Sequence, residues 1–381
     1  MNRILRTAIS ISLLALAPAA WAADRTWIGA EAMSANNAGN WSPAGMPTTD
    51  DSIYFEGSNN TSCMWDLSLT LTSVTFRNGY NRQVNINQPM TVNGEFKMIS
   101  LGATAYFQTP MSDKSTLSGP VTLSGGVFWV QGATVVAVGS ITVNNLSTVT
   151  VVNSGVLKAS SITVNTGGWL SLQGMAAMTP VLTSSDTASW LSIGAYGHVH
   201  IEQSTVSRLK KDGLRLLGGS PDLRLSTANF AGPLQPGATV LSFVNSPVVV
   251  TTFTGVSFSS EAAVNINASM LGAGSRITMR DAQGARIGNA FENDPNSRVD
   301  WPDSPSLVSR DSFQPYGMAY NSQRKIARSS NGNLYFAYVK VYNGFRRIFV
   351  ARSVNNGADW FDTTSVPVET AGSEGGTYHQ G

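Results

Sequence analysis

Three histidines, one cysteine and a charged fraction of only 13% leave few places in this chain where chemistry can start. Two of the histidines stand in His198-Val199-His200-Ile201-Glu202. On a strand, residues two apart share a face. His198, His200 and Glu202 then line one side, and Val199 and Ile201 the other. Two imidazoles and a carboxylate are zinc ligands in type. Against that, neighbouring side chains on one face of a flat strand diverge and seldom close a tetrahedral site. The expectation is an ordinary strand, apolar side in and polar side out, with no metal and no cofactor. His379 stands near the end of the chain with no partner in view. Lys210-Lys211, with Arg208 and Arg215, is a local basic cluster of a kind that meets anionic glycans or lipopolysaccharide, but a solvated face is the simpler reading.

The elements that carry these residues are marked by repetition. Ser140-Ile141-Thr142-Val143-Asn144 recurs letter for letter as Ser161-Ile162-Thr163-Val164-Asn165, an offset of 161 − 140 = 21. Val121-Thr122-Leu123-Ser124 is a weaker copy about one step earlier. Each copy alternates apolar and polar residues and then runs into a turn, the pattern of a short strand. Fixed spacing of this size predicts stacked coils, in which each coil covers the apolar face of the next. Strand patterns extend from Val74-Thr75-Phe76 to Arg276-Ile277-Thr278-Met279, and after about Met175 the period loosens around a series of prolines. Ser204 to Leu217 fits a short helix and a strand equally well. A polysaccharide lyase built on such coils needs Asp, Lys and Arg clustered on one face. From Ser115 to Ser185 the single charged residue is Lys158, which argues against that chemistry.

Composition narrows the class further. A charged fraction near 25% is usual; here Gly, Ser, Thr, Asn and Val fill the gap, as in many extracellular β-repeat proteins. The formal net charge is +2 with no long basic run, so nucleic acid is not an expected partner. Residues 1–22 read as a secretory signal peptide. Arg3 and Arg6 make the positive region, Ile9 to Ala17 the apolar core, and Ala20-Trp21-Ala22 the cleavage pattern. Its brevity points to a bacterial exporter, and no later stretch has the roughly 20 apolar residues of a membrane span. Cys63 is the one cysteine, so no intrachain disulfide can form and the fold must rest on its core.

Residues 24–93 are read as an N-terminal cap with the first strands. Trp27-Ile28-Gly29, Asn40-Trp41, Gly45-Met46-Pro47 and Asp50 form an ordered series. The series resembles the opening of bacterial surface proteins of the autotransporter-associated repeat type. That resemblance spans about thirty residues and implies a surface or secreted β-helical protein, with no particular chemistry.

Composition shifts near Trp301, where charged and aromatic residues rise; this divides a solenoid at 94–300 from a segment at 301–381. Leu334 to Val339 and Arg347 to Arg352 read as strands joined by a turn at Asn343-Gly344. Ser353, Asn355, Gly357 and Trp360 come next, and they resemble the Asp-box, or BNR repeat, of the sialidase superfamily. Asn355 replaces the usual Asp and Asp359 the usual Thr, yet Asn still accepts a hydrogen bond from the turn. The resemblance implies one blade of a β-propeller, in which the box is structural. It also implies an arginine early in the first blade to bind the substrate carboxylate. Arg324 and Arg328 are the nearest candidates, although Arg324-Lys325-Ile326-Ala327 departs from the family pattern. From Tyr316 to Gly381 there is room for little more than one blade of the usual four to eight, so the chain reads as a piece of a longer protein.

The expected fold is all-β: a right-handed parallel β-solenoid with an N-terminal cap, followed by a partial propeller blade. The expected protein is exported and non-catalytic, a stalk that displays a glycan-directed sialidase-like domain. Glycans or polysaccharide are its expected partners. The alternative is the N-terminal part of an exo-sialidase-like glycoside hydrolase.

Overall fold

The computed structural model describes residues 22–58, 61–108, 113–218, 222–284, 287–288, 291–302, 326–329, 332–342, 345–354 and 360–362. Residues 1–21 of the expected signal peptide lie outside them, as do Arg324, Asn343, Gly344, Asn355, Gly357 and His379.

The regular structure of the described residues is almost entirely strand, and helix is confined to short 3-10 turns such as Ala38–Asn40. Among these residues, eleven strands stack in one sheet, from Cys63–Trp65 to Val299–Asp300. Every pairing in that sheet is parallel. Each coil adds one strand to it and two segments to a 21-stranded sheet. The result is a parallel β-solenoid of about ten coils. At ~4.8 Å per coil its stacked strands extend for roughly 50 Å.

The repeat stacks on itself. Ser140, Ile141, Thr142 and Val143 pair residue for residue with Ser161, Ile162, Thr163 and Val164. Val121, Thr122 and Leu123 pair with Ile141, Thr142 and Val143. The residue after each copy continues the register in its side chain. Asn165 donates an N–H to Asn144 Oδ1 at 2.7 Å, and Asn144 donates to Ser124 Oγ at 3.0 Å. Inward residues alternate with outward ones, and they stack in columns. Val84, Ala105, Phe128, Val149, Leu170 and Val199 form one such column and are almost completely buried. Cys63 opens the same column, and burial together with nearby Asp66 pushes its thiol well above the usual range. A neutral, enclosed thiol is a packing group and a poor nucleophile.

Where the chain turns between the two segments of the larger sheet, successive backbones touch. A Cβ on Gly119 would stand 2.2 Å from the Gly94 carbonyl oxygen, and one on Gly139 would stand 2.2 Å from that of Gly119. Ser160 takes the next place and donates its hydroxyl to the Gly139 carbonyl at 3.0 Å. Later coils lengthen at such corners. Trp169 pairs with His198, a step of 198 − 169 = 29 residues, yet the strands stay in register. Insertions at corners leave the alternation of faces intact, whereas a single-residue insertion within a strand would reverse it. Ser204 to Leu217 is strand, as Thr205–Ser207 and Leu209–Leu216. Leu209, Leu214 and Leu216 settle against Leu191, Ile193 and Ala195 of the preceding coil, so tertiary packing decides what local propensity left open.

At the N-terminal end, Asp24–Trp27 pairs parallel with Ser52–Phe55 and antiparallel with Trp41–Ser42. Trp27 and Trp41 meet edge to face at 5.1 Å, and Trp41 meets Trp65 of the next coil at 6.2 Å. Asn40 is fully enclosed. It accepts from the Glu31 amide at 2.6 Å and donates to the carbonyls of Ala32 and Ser34 at 3.0 and 2.9 Å. The Asn-Trp pair is therefore a loop clamp beside a core anchor. Asp50 is exposed, and the buried carboxylate is its neighbour Asp51.

The solenoid core continues to Trp301, which is 5% exposed and lies 6.2 Å from the ring of Phe258. A separate four-stranded antiparallel sheet comprises Ile326–Arg328, Leu334–Tyr342, Phe345–Ser353 and Phe361–Asp362. Phe336, Phe349, Ala351 and Trp360 make its own small core.

Candidate functional site

The strand His198–Glu202 lies on the eleven-stranded sheet with Val199 and Ile201 in the core and His198, His200 and Glu202 outward. What the two imidazoles meet comes from neighbouring coils. Trp169, in register with His198 one coil earlier, stacks on it with ring centroids 4.0 Å apart and planes at 14°. The same indole meets His200 edge to face at 5.0 Å. From the following coil, Asp222 brings Oδ2 to 2.9 Å from His200 Nε2 and to 3.8 Å from His198 Nδ1. Arg224, paired with His200 across the ladder, donates from Nε to Asp222 Oδ1 at 3.1 Å.

The carboxylate beside the histidines is thus Asp222, and exposed Glu202 stands apart at the strand end. The geometry explains this. Same-face residues on one strand lie about 7 Å apart, whereas in-register neighbours on adjacent strands lie about 4.8 Å apart. Among the described residues, no group of three His, Cys, Asp or Glu side chains is disposed to hold a metal ion.

Partial burial pushes the Asp222 carboxyl up. Hydrogen bonds from His200 and Arg224, and the charges of those two groups, outweigh it and hold the carboxyl below the usual carboxylate range. A carboxyl lowered in the folded state stabilises the fold fully above its unfolded pKa, and the contribution fades as pH falls through the folded value. Asp222→Asn is therefore expected to cost about 0.2–1 kcal/mol at neutral pH, the range of partly exposed pairs. The difference from the parent should vanish in strong acid. Denaturant midpoints for both proteins between neutrality and pH 2 check this, and a constant gap across that range would refute the assignment.

Beside His198, at the corner of coils that carry Thr166, Tyr196, Leu217, Gly218 and Asn245, is an open cleft of about 400 Å³. Its lining sets the Thr166 hydroxyl, the Asn245 amide and the Tyr196 ring beside Leu217 and glycine backbone. Among the described residues, no hydroxyl or thiol is hydrogen-bonded to either imidazole. The cluster therefore has a base and an orienting carboxylate but no positioned nucleophile.

In the basic cluster Arg215 is partly buried. Arg208 donates to the carbonyls of Thr187 and Ser189 and lies 5.1 Å from the Trp190 ring, while Lys210 and Lys211 are exposed. In the C-terminal sheet, exposed Arg328 donates to the Gly332 carbonyl at 3.0 Å within its own hairpin. Of the Asp-box positions, Ser353 is fully buried and Trp360 packs on Phe336 at 5.7 Å, whereas Asn355 and Gly357 lie outside the described residues. Sequence does not single out Asp222, because nothing local marks a residue whose partner is 22 positions away.

No protein-family model, curated protein or solved structure matches the chain. Among the described residues no helix is long and apolar enough to cross a membrane.

Proposed function

We propose that this chain is the stalk of an exported bacterial surface or secreted protein and that it works without catalysis. The observation that carries the reading is the unbroken parallel ladder from Cys63–Trp65 to Val299–Asp300, with scarcely a charge where it is most regular. Such a ladder holds a domain attached at its far end roughly 50 Å from its base. The indole-rich fold-back at Trp27 and Trp41 is its cap. It covers a ladder end that would otherwise offer free backbone groups to another chain. The antiparallel sheet from Ile326 to Asp362 is the opening blade of a sialidase-like propeller, directed at glycans. Support comes from its strand order and from the buried Ser353 and Trp360 at Asp-box positions.

Expression with the native leader in a Gram-negative host tests the first part. The mature protein should be recovered outside the cytoplasm with its N-terminus at Ala23 or Asp24, and cytoplasmic protein retaining Met1 would overturn it. A fluorogenic sialoside tests the second. No turnover is expected, and hydrolysis would instead make the chain the N-terminal part of a sialidase-like enzyme.

A further inference from the structure

On the first half of the eleven-stranded sheet, the outward face has a composition of its own. Five strands compose it: Gln83–Ile86, Thr104–Phe107, Gly126–Gln131, Ser147–Val152 and Trp169–Gln173. None carries Asp, Glu, Lys or Arg. At their outward positions, partly exposed aromatic rings stand with the amides of Gln83, Asn85 and Gln131 and the hydroxyls of Thr104 and Thr148, beside outward Val127; Thr150 and Ser171 are buried beneath this face. Asn85, Tyr106 and Trp129 form one in-register column that runs into buried Thr150, and Trp169, one of its faces stacked on His198, stands two coils beyond Trp129 in the adjacent column.

The aromatic groups are held, not loose. Tyr106 meets Trp129 edge to face at 5.9 Å and donates its hydroxyl to Gln131 Oε1 at 2.5 Å. The Trp129 indole nitrogen is buried without an acceptor, so what that ring leaves at the surface is hydrocarbon. Four steps of ~4.8 Å make the strip roughly 19 Å long. Aromatic carbon flanked by groups that both donate and accept hydrogen bonds matches a sugar, whose ring faces are C–H and whose rim is hydroxyl. The absence of charge matches an uncharged polymer: no cation is present to hold a polyanion, and no ion pair to fix a protein partner.

We propose that this strip binds a neutral polysaccharide chain, and that the stalk is itself a glycan-binding surface. The proposal concerns the solenoid alone and holds whether or not the C-terminal sheet is sialidase-like. Affinity electrophoresis of the full chain through gels containing hydroxyethylcellulose, galactomannan or dextran tests it, with alginate and heparin as anionic comparators. Retardation is expected in at least one neutral polymer and should survive 0.5 M salt. Tyr106→Ala with Trp129→Ala should weaken it at least tenfold. Thr148→Arg, which places a bulky charge on the strip while leaving the core in place, should do the same in a protein of unchanged circular dichroism. Val250→Ser, outward on the same sheet but beyond the strip, should leave it intact. Retardation by none of the neutral polymers, or only by alginate or heparin, overturns the proposal. So does retardation that both strip variants retain, or a dimer in sedimentation that these variants disperse while no polymer is bound.

Discussion

Phe76→Ala is expected to remove about 3–5 kcal/mol of stability, the usual cost of deleting a buried aromatic ring. Phe76 is fully buried, stacks on Phe55 at 4.9 Å, and touches Tyr80 and Phe96 at 6.1 and 5.8 Å. It therefore joins the first coils to the rest of an aromatic column that runs on through Phe96 to Phe107 and Phe128. Whole domains are stable by only about 5–15 kcal/mol, so the loss is a large share of the total. A solenoid adds a spatial expectation, because each coil contacts only its neighbours. The coils before Phe96 should lose hydrogen-exchange protection, while those around Val149 and Leu170 keep theirs. A uniform loss of protection along the chain would show that the coils unfold as one unit and would contradict the nearest-neighbour picture.

Asp51→Ala should cost about 1.5–3 kcal/mol, the range for losing hydrogen bonds to a charged group. Asp51 is completely buried. Its carboxylate accepts from the Ala23 and Thr48 amides, both at 2.8 Å, and from the Thr48 hydroxyl at 3.2 Å; Arg25 approaches at 3.4 Å. It thus ties the first described residues to the strand Ser52–Phe55. Asp50→Asn is the matched comparison. Asp50 is exposed with a backbone φ of 71°, a conformation that asparagine tolerates, so the change should stay within about 0.5 kcal/mol. Urea denaturation of both variants decides the matter, and equal losses would mean that Asp51 does not organise this end.

The strength of the Asp51 effect bears on how far the N-terminal motif is legible in sequence. Of the ordered N-terminal series, Trp27, Asn40 and Trp41 are buried. Which of Asp50 and Asp51 is buried is not legible, because neighbouring aspartates are equivalent in a string of letters. Only the backbone turn at Asp50 decides which carboxylate faces inward. The same limit governs the histidine cluster. Alternation along His198–Glu202 puts both imidazoles outward, as observed, but the partners Trp169, Asp222 and Arg224 come from other coils.

Sequence by itself determined the architecture of the middle of this protein. The paired Ser-Ile-Thr-Val-Asn segments lie strand on strand because identical alternation, 21 residues apart, buries identical faces in identical register. Period-two hydrophobicity is a local property, and it survives reading without coordinates. The tertiary structure alone decided which side chains from different coils become neighbours. Lateral contacts in a solenoid depend on the number of residues in each corner loop, and those loops vary in length without any periodic signal. That is why the uncharged aromatic strip around Trp129 and the histidine cluster beside Asp222 emerged only once the coils were stacked.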